Sequence, residues 1–391
     1  MLRSLDSGVS GLQAQQTMLD VVSNNIANVN TTGYKSSSVE FEDTMSQLLG
    51  SASAPQGGQG GTNPASVGLG VRVAGIATNF TEGSAETTGV GTDVMINGDG
   101  FFVVSNGGQT EYTRAGAFTP DSNGNLVSPD GAIVQGWSAT NGVVNTGTPI
   151  SNLTLSTTDI SSARATTTAT VTGNLPDGDA VGQTVNSDVG VYDASGNQRD
   201  LNLTFTRTTT GWDVSAVDAN GTTSTGTLAF TNGVLTSGQT LAVGGITVDM
   251  SQLTGFAGIS SASVSGQNGN AAGTLQSYTV TQDGTIEGSF SNGAKQAIGQ
   301  IALANFSNPD GLEKTGNSNF TATANSGLPQ IGVAGNGSLG TLSSGALEGS
   351  NVDLSQEFTN LIVAQRAFQA SARVITTSDD VLQELISLKP N

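Results

Sequence analysis

Asp177 with Asp179, and Asp379 with Asp380, are close carboxylate pairs in this 391-residue chain, and close carboxylates are what general acid and base catalysis requires. The first pair flanks a turn glycine and the second falls on a predicted helix surface, so both read as solvated charge. GNGSLG at 335–340 has the spacing of a dinucleotide-binding loop, a motif that needs a strand before it and a helix directly after it. A stretch rich in Ser, Gly and Thr follows instead, which reads as connector. DSNGNL at 121–126 opens like a calcium loop, but Leu126 stands where Gly is required and Ala132 where the final Glu is required. A tight hairpin is the expectation there. Lys295, the only Lys between Lys35 and Lys314, follows an Asn-Gly turn without a visible partner. The chain has no His and no Cys, which excludes imidazole or thiolate triads, imidazole or thiolate metal sites and disulfides. No catalytic, cofactor-binding or metal-ligating residue is assigned, and no cofactor is expected.

The charge balance narrows the partners. Acidic residues number 31 against 12 basic, a net charge of -19 that argues against nucleic acid or an anionic membrane surface. MLRSLDSGVSGL lacks the continuous apolar run of a secretory signal, and no later stretch approaches the roughly 20 apolar residues of a membrane span. Membrane insertion is therefore not expected.

The elements that organise the chain lie at its two ends. Leu5, Leu12, Leu19 and Ile26 repeat every seven residues, with Val9, Val22 and Val29 in neighbouring seam positions. Leu354, Leu361, Phe368, Ile375 and Leu382 repeat likewise, with Ala367, Val374, Val381 and Leu388 as an adjacent row. Ser350 and Asp353 resemble a capping box ahead of this run, and Pro390 follows it. Two long helices that pair as a terminal coiled coil are predicted. Gly8 and Gly11 each cost the first helix roughly 1 kcal/mol relative to Ala, so it should depend on packing for its order.

Between the helices the pattern is β. Asn-Gly and Asp-Gly dipeptides recur between alternating strands such as LNLTFTR at 201–207 and WDVSAV at 212–217, as in sandwiches and barrels. Residues 151–270 hold no Lys and no Glu and are crowded with Thr, Ser and Gly, whereas both flanks carry apolar clusters such as GDGFFVV and GQIALANF. The expected fold is mainly β with a terminal helical coiled coil. It divides into a helical assembly domain (1–33 plus 350–391), a flexible connector (34–75), a discontinuous inner β domain (76–150 plus 272–349) and an inserted outer β domain (151–271).

SNNIANVNTTGYK, at 23–35, packs Asn onto the end of the first helix. At about 100° per residue from Val22, Ile26 and Val29 fall within about 40°, while Asn24 and Asn28 fall at about 200° and 240°. The far face also carries Gln13 and other short polar groups, which hydrogen-bond to a neighbour at less desolvation cost than charges. Gln13, Asn24 and Asn28 are expected as a polar assembly face, and Gly33 as the helix end. The alternative is that this Asn run merely unwinds the helix toward Gly33.

SGLQAQQTMLDVVSNNIANVNTTGYK, INGDGFFVV, YTRAGAFTPDSNGNLVSPDG, ANFSNPDGLEKTGNSNF and SGALEGSNVDLSQEFTNLIVAQRAFQASARVITTSDDVLQELISL stand here in order. Together they resemble the bacterial flagellar rod and hook axial proteins over roughly two-thirds of the chain. Phe368 and Ser371 depart from the family's usual Tyr and Asn. Length and the large insert resemble its hook members; a distal-rod or junction protein is the alternative within the class, and a secreted β-rich adhesin or glycan-binding module outside it. The resemblance implies a non-enzymatic subunit, exported without a cleaved signal by the type III apparatus to the extracellular flagellum. It would polymerise with itself into a flexible curved tube, a universal joint between rod and filament. Implied partners are rod, hook cap and hook-filament junction proteins.

Overall fold

A computed structural model describes residues 2–55, 60–155 and 160–387. Leu388, Pro390 and most of the glycine-rich run at 57–61 lie outside the described residues. Helix α1 (Leu2–Ala27) and helix α2 (Leu354–Ser387) pack side by side. Ser4 meets Ser378, a side chain at Gly8 would meet Ile375, one at Gly11 would meet Ser371, and Asn25 bonds Glu357. The partner number falls as the α1 number rises, so the pair is antiparallel. The cap of α2 differs from the expected one: Asp353 Oδ1 accepts from the N–H groups of Ser355 (2.8 Å) and Gln356 (3.3 Å), whereas Ser350 Oγ serves only Val352 N. Asp353 is thus the N-cap.

The body is built on a large sheet whose central strand is Lys295–Asn305. It pairs with Thr285–Phe290, Ile133–Thr140, Phe101–Asn106 and Gln330–Val333, which joins the segments on either side of the insert. Successive side chains of a strand point to opposite faces, so the apolar run FFVV demands a core on each side. Phe102 and Val104 enter one core with Phe118, Val134, Ile286 and Leu303. Phe101 and Val103 enter the other with Tyr112, Trp137, Phe306 and Phe320.

The insert forms its own nine-stranded sheet, including one parallel pair, Thr168–Asn174 with Ile246–Thr254. The buried alternation Leu201, Leu203, Phe205 along one strand and Trp212, Val214, Ala216 along the next supplies its core. Val264 N donates to Ser187 Oγ at 3.1 Å across the two edge strands, so the sheet curls into a barrel-like form.

Two expected boundaries shift. Ser151–Asn152 pairs with Ile133–Thr140, Leu153 and Leu155 are buried in the inner core, and Ile160–Ser161 pairs with Gly273–Val280. The inner domain therefore takes in residues 151–155 and 160–161 as well. Composition misled here because Thr and Ser alternate with the buried Leu153 and Leu155. The stretch 34–75, expected as flexible connector, carries paired strands: Ser37–Asp43 with Val71–Thr78, and Ser46–Gly50 with Ala65–Gly68. Gly70, at φ +125°, lies where any Cβ would collide with Ser10 Oγ of α1, so the ribbon is seated on the helix.

The loop that imitated calcium ligation is closed on itself. Asp121 Oδ1 accepts from Asn123 N and Asn125 N, and its Oδ2 from Asn125 Nδ2. Asp193 repeats the arrangement with Ser195 and Asn197. The amide of the Asn, with the backbone N–H groups, holds each carboxyl below its ordinary value of 3.8. A depressed carboxylate contributes stability that is complete above the unfolded value and lost as pH falls through the folded one. Carboxyl 13C titration should therefore place both midpoints below 3.8, and Asn125→Ala and Asn197→Ala should each raise the midpoint of the neighbouring Asp. An unmoved midpoint would refute the assignment.

Candidate functional site: the helix pair and its root

The seam between α1 and α2 is built from large residues around a line of small ones. Val22 is buried, and Leu5, Leu12, Leu19, Ile26, Val29, Leu361, Phe368, Ile375 and Leu382 are partly buried. Leu354, expected in the seam, is instead 39% exposed, because it is the first residue after the Asp353 cap. Ala14 and Ala364, which the heptad reading passed over, are buried outright. Gly8 and Gly11 also acquire a reason. A Cβ on Gly8 would stand 3.0 Å from Ile375 Cγ1, and one on Gly11 would stand 3.1 Å from Ser371 Oγ. These glycines lower helix propensity and in exchange let the second backbone approach closely.

The seam leaves much of α2 open. Phe358, Ile362, Val363, Val374, Val381 and Ile386 are all exposed; of the adjacent row read from the sequence, Val374 and Val381 are thus uncovered while Ala367 is partly buried.

The Asn cluster divides its labour differently from the expected assignment. Gln13 and Asn24 are exposed, but Asn28 is partly buried and turned inward. Its Nδ2 donates to Asn24 O (2.9 Å) and Asn24 Oδ1 (2.8 Å), while Thr31 Oγ1 donates to Asn28 Oδ1. In the single chain these two side chains bond each other across the last turn of the helix. The residue that reaches across is Asn25, which is 1% exposed. Its Nδ2 donates to Ser37 O and to Glu357 Oε1, and its Oδ1 accepts from Ser37 N and Tyr34 Oη. One amide thus joins α1, the start of the ribbon and the first turn of α2. Its signal was present in the sequence: three residues past Val22 it falls at about 300°, on the seam side.

Gly33 does not end the helix, since α1 stops at Ala27. It is where the chain docks on the body: its N–H donates to Glu348 O at 2.7 Å, and at φ +66° an added Cβ would stand 2.5 Å from Ala115 N. Beside it lies a buried charge cluster. Lys35 Nζ donates to Glu348 Oε1 at 2.6 Å and to Thr81 O at 2.7 Å, with neither charged side chain exposed at all. Gly83 N also donates to Glu348 Oε1, and Arg114 Nη1 approaches Glu348 Oε2 at 3.4 Å while stacking over Phe101. Burial pushes the Lys35 ammonium below its ordinary pKa and Glu348 opposes that shift. Asn351 completes the root, accepting from Ser36 N and donating to Asn79 O and Thr81 O. Both chain entries to the helix pair are therefore clamped to the β body at one place.

The arrangement is that of a structural element presented for packing. Among the described residues no group of three or more His, Cys, Asp or Glu is placed to hold a metal ion, and no helix is long and apolar enough to cross a membrane. Asp177 pairs with Arg207 at 2.7 Å. A strand, Thr341–Ser344, follows GNGSLG where a dinucleotide loop needs a helix.

Three family models match in chain order: the flagella basal body rod protein at 5–35, the D1 domain of the flagellar hook protein FlgE/F/G at 95–175, and the C-terminal region of the flagellar basal body rod FlgEFG protein at 343–388. They cover α1, part of the inner body and α2, the parts described above as one clamped unit, and they define a flagellar axial protein. The flagellar hook protein FlgE of Borreliella burgdorferi is 40% identical over an alignment of 441 positions spanning all of both chains. That of Salmonella typhimurium is 38% identical over 420 positions, covering 99% of this chain and all of the relative. The flagellar basal-body rod protein FlgG of Bacillus subtilis is 33% identical over 390 positions, spanning both chains fully. A crystal structure of Helicobacter pylori flagellar hook protein FlgE2 aligns at TM-score 0.49 with 14% identity, covering 67% of this chain and 100% of that one. The chain belongs to the flagellar hook protein family, as a structural subunit of the hook.

Proposed function

We propose that this subunit polymerises through its terminal helices into a flexible curved tube that transmits torque from rod to filament, and that it has no catalytic activity. The observation that carries the proposal is the set of large apolar side chains that α2 leaves exposed on either flank of the seam. With the α1 seam already filled, Phe358, Ile362, Val363, Val374 and Val381 still face outward, a length of apolar surface that a solitary soluble chain does not ordinarily present. Neighbouring copies would cover it, and the residues of both seams, with Gln13, would then be the assembly surface. The sparse charge fits a tube that bends. Subunits that slide past one another lose little when their contacts are made by Gly, Ser and Thr rather than by desolvated ion pairs. Rod, hook cap, hook-filament junction proteins and the type III export apparatus are the proposed partners, and the extracellular flagellum the proposed location.

The full-length relation to a rod protein supplies the second reading, a stiff straight product. Negative-stain microscopy of the purified chain grown on hook fragments separates the two. Curved tubes are expected; straight rods that keep their form as conditions change would favour the rod reading.

A further inference from the structure

A cleft of about 960 Å3 opens between the end of α1 and the inner sheet, bordered by Asn24, Asn28, Tyr34, Asp130 and Lys314. Lys314 is its unmatched charge. It sits on Glu313–Gly316, an exposed strand at the end of the inner sheet's order. Its Nζ donates to Lys35 O at 3.1 Å and Ser37 Oγ at 2.8 Å and lies 5.3 Å from the centre of the Tyr34 ring. Those acceptors are neutral, and among the described residues no carboxylate comes within 4.0 Å of it. The other cation on the cleft wall, Lys35, is committed to Glu348. Asp130 is committed as well, one oxygen accepting from Ser128 Oγ and the other from Asn319 Nδ2.

We propose that this cleft receives an acidic segment of a second copy of the chain, one of whose carboxylates pairs with Lys314. The proposal rests on the reading that the chain polymerises. Three features favour a second copy over a small anion. The volume is that of a site for a peptide-sized group rather than a single ion. The wall contributed by Asn24 and Asn28 belongs to α1, so the cleft is continuous with the helix pair that assembles. The chain carries 31 acidic groups against 12 basic ones, so a neighbouring copy offers carboxylates in excess, and complementary charge steers such an encounter and fixes its register. In this account Asn24 and Asn28 bond each other in the free chain and line a docking cleft in the polymer.

Carbodiimide treatment of polymers grown from an equal mixture of 14N and 15N chains, followed by mass spectrometry, tests it. The expected result is a Lys314–Asp or Lys314–Glu cross-link of mixed isotope composition that is absent from monomer at the same concentration. Lys314→Gln should abolish that cross-link and raise the critical concentration for polymerisation roughly tenfold. Polymers whose Lys314 links only within its own chain, or not at all, and Lys314→Gln polymers with an unchanged critical concentration, overturn the proposal alone. If wild-type chain forms no polymer, the assembly reading fails and the proposal with it.

Discussion

Replacement of Glu348 by Ala is expected to cost the chain about 3–5 kcal/mol, the range for removing one partner of a buried ion pair. Glu348 is fully buried, and so is Lys35, whose ammonium would be left with only Thr81 O. Arg114, itself buried, would lose its carboxylate too, and Gly83 N its acceptor. Both cations have buried side chains, so the cost is dominated by two stranded charges rather than by the lost attraction. Glu348→Gln keeps one acceptor oxygen and should be milder, though still destabilising. Lys35→Met combined with Glu348→Leu should recover only the part of the loss due to Lys35, since Arg114 would remain buried without its carboxylate. Urea unfolding followed by circular dichroism measures this series. A loss below about 1 kcal/mol for Glu348→Ala would place the pair with weakly coupled surface ion pairs and refute the clamp.

Gly8→Leu is expected to separate the helices and stop polymer growth. Even the first carbon of the new side chain would stand 3.0 Å from Ile375 Cγ1 and 3.6 Å from both Ser371 O and Val374 Cγ1. Overpacking costs about 1–3 kcal/mol, while replacing a helical Gly returns up to about 1 kcal/mol of propensity. The bulk of Leu makes the first effect win. Gly11→Ala should go the other way, because its nearest neighbour is a Ser371 hydroxyl that can rotate aside. Sedimentation of polymer and the helical dichroism signal should fall together for Gly8→Leu and hold for Gly11→Ala. Equal behaviour of the two would mean that the close approach at Gly8 does not organise the seam.

What was legible in the sequence was periodic or local. Large heptad residues announce two long helices, and Asn-Gly turns between alternating strands announce the β body; Asn141-Gly142 and Asn232-Gly233 do adopt positive φ at both positions. The small residues Ala14 and Ala364 carry no such signal, although the closest approach is made where side chains are short. Asn25 was hidden among similar neighbours, and only its angle on the helix separates it from Asn24 and Asn28. The ribbon at 37–78 looked like linker because its strands expose apolar side chains such as Phe41 and Leu48 and bury few. The Lys35–Glu348 pair joins residues 313 apart, and no spacing rule connects positions so distant. Its members also differ from ordinary surface charge only by burial, a property of the folded chain.

The most direct test of the central claim, that the helix pair is the polymerising element, is electron microscopy and pelleting of a chain ending at Asp353. Loss of α2 removes the seam and the exposed apolar side chains together, yet leaves the sheets with their own cores. No tubes and no pelletable polymer are expected, with near-ultraviolet dichroism showing Trp137 and Trp212 still packed in their cores. Normal tubes from the shortened chain would contradict it.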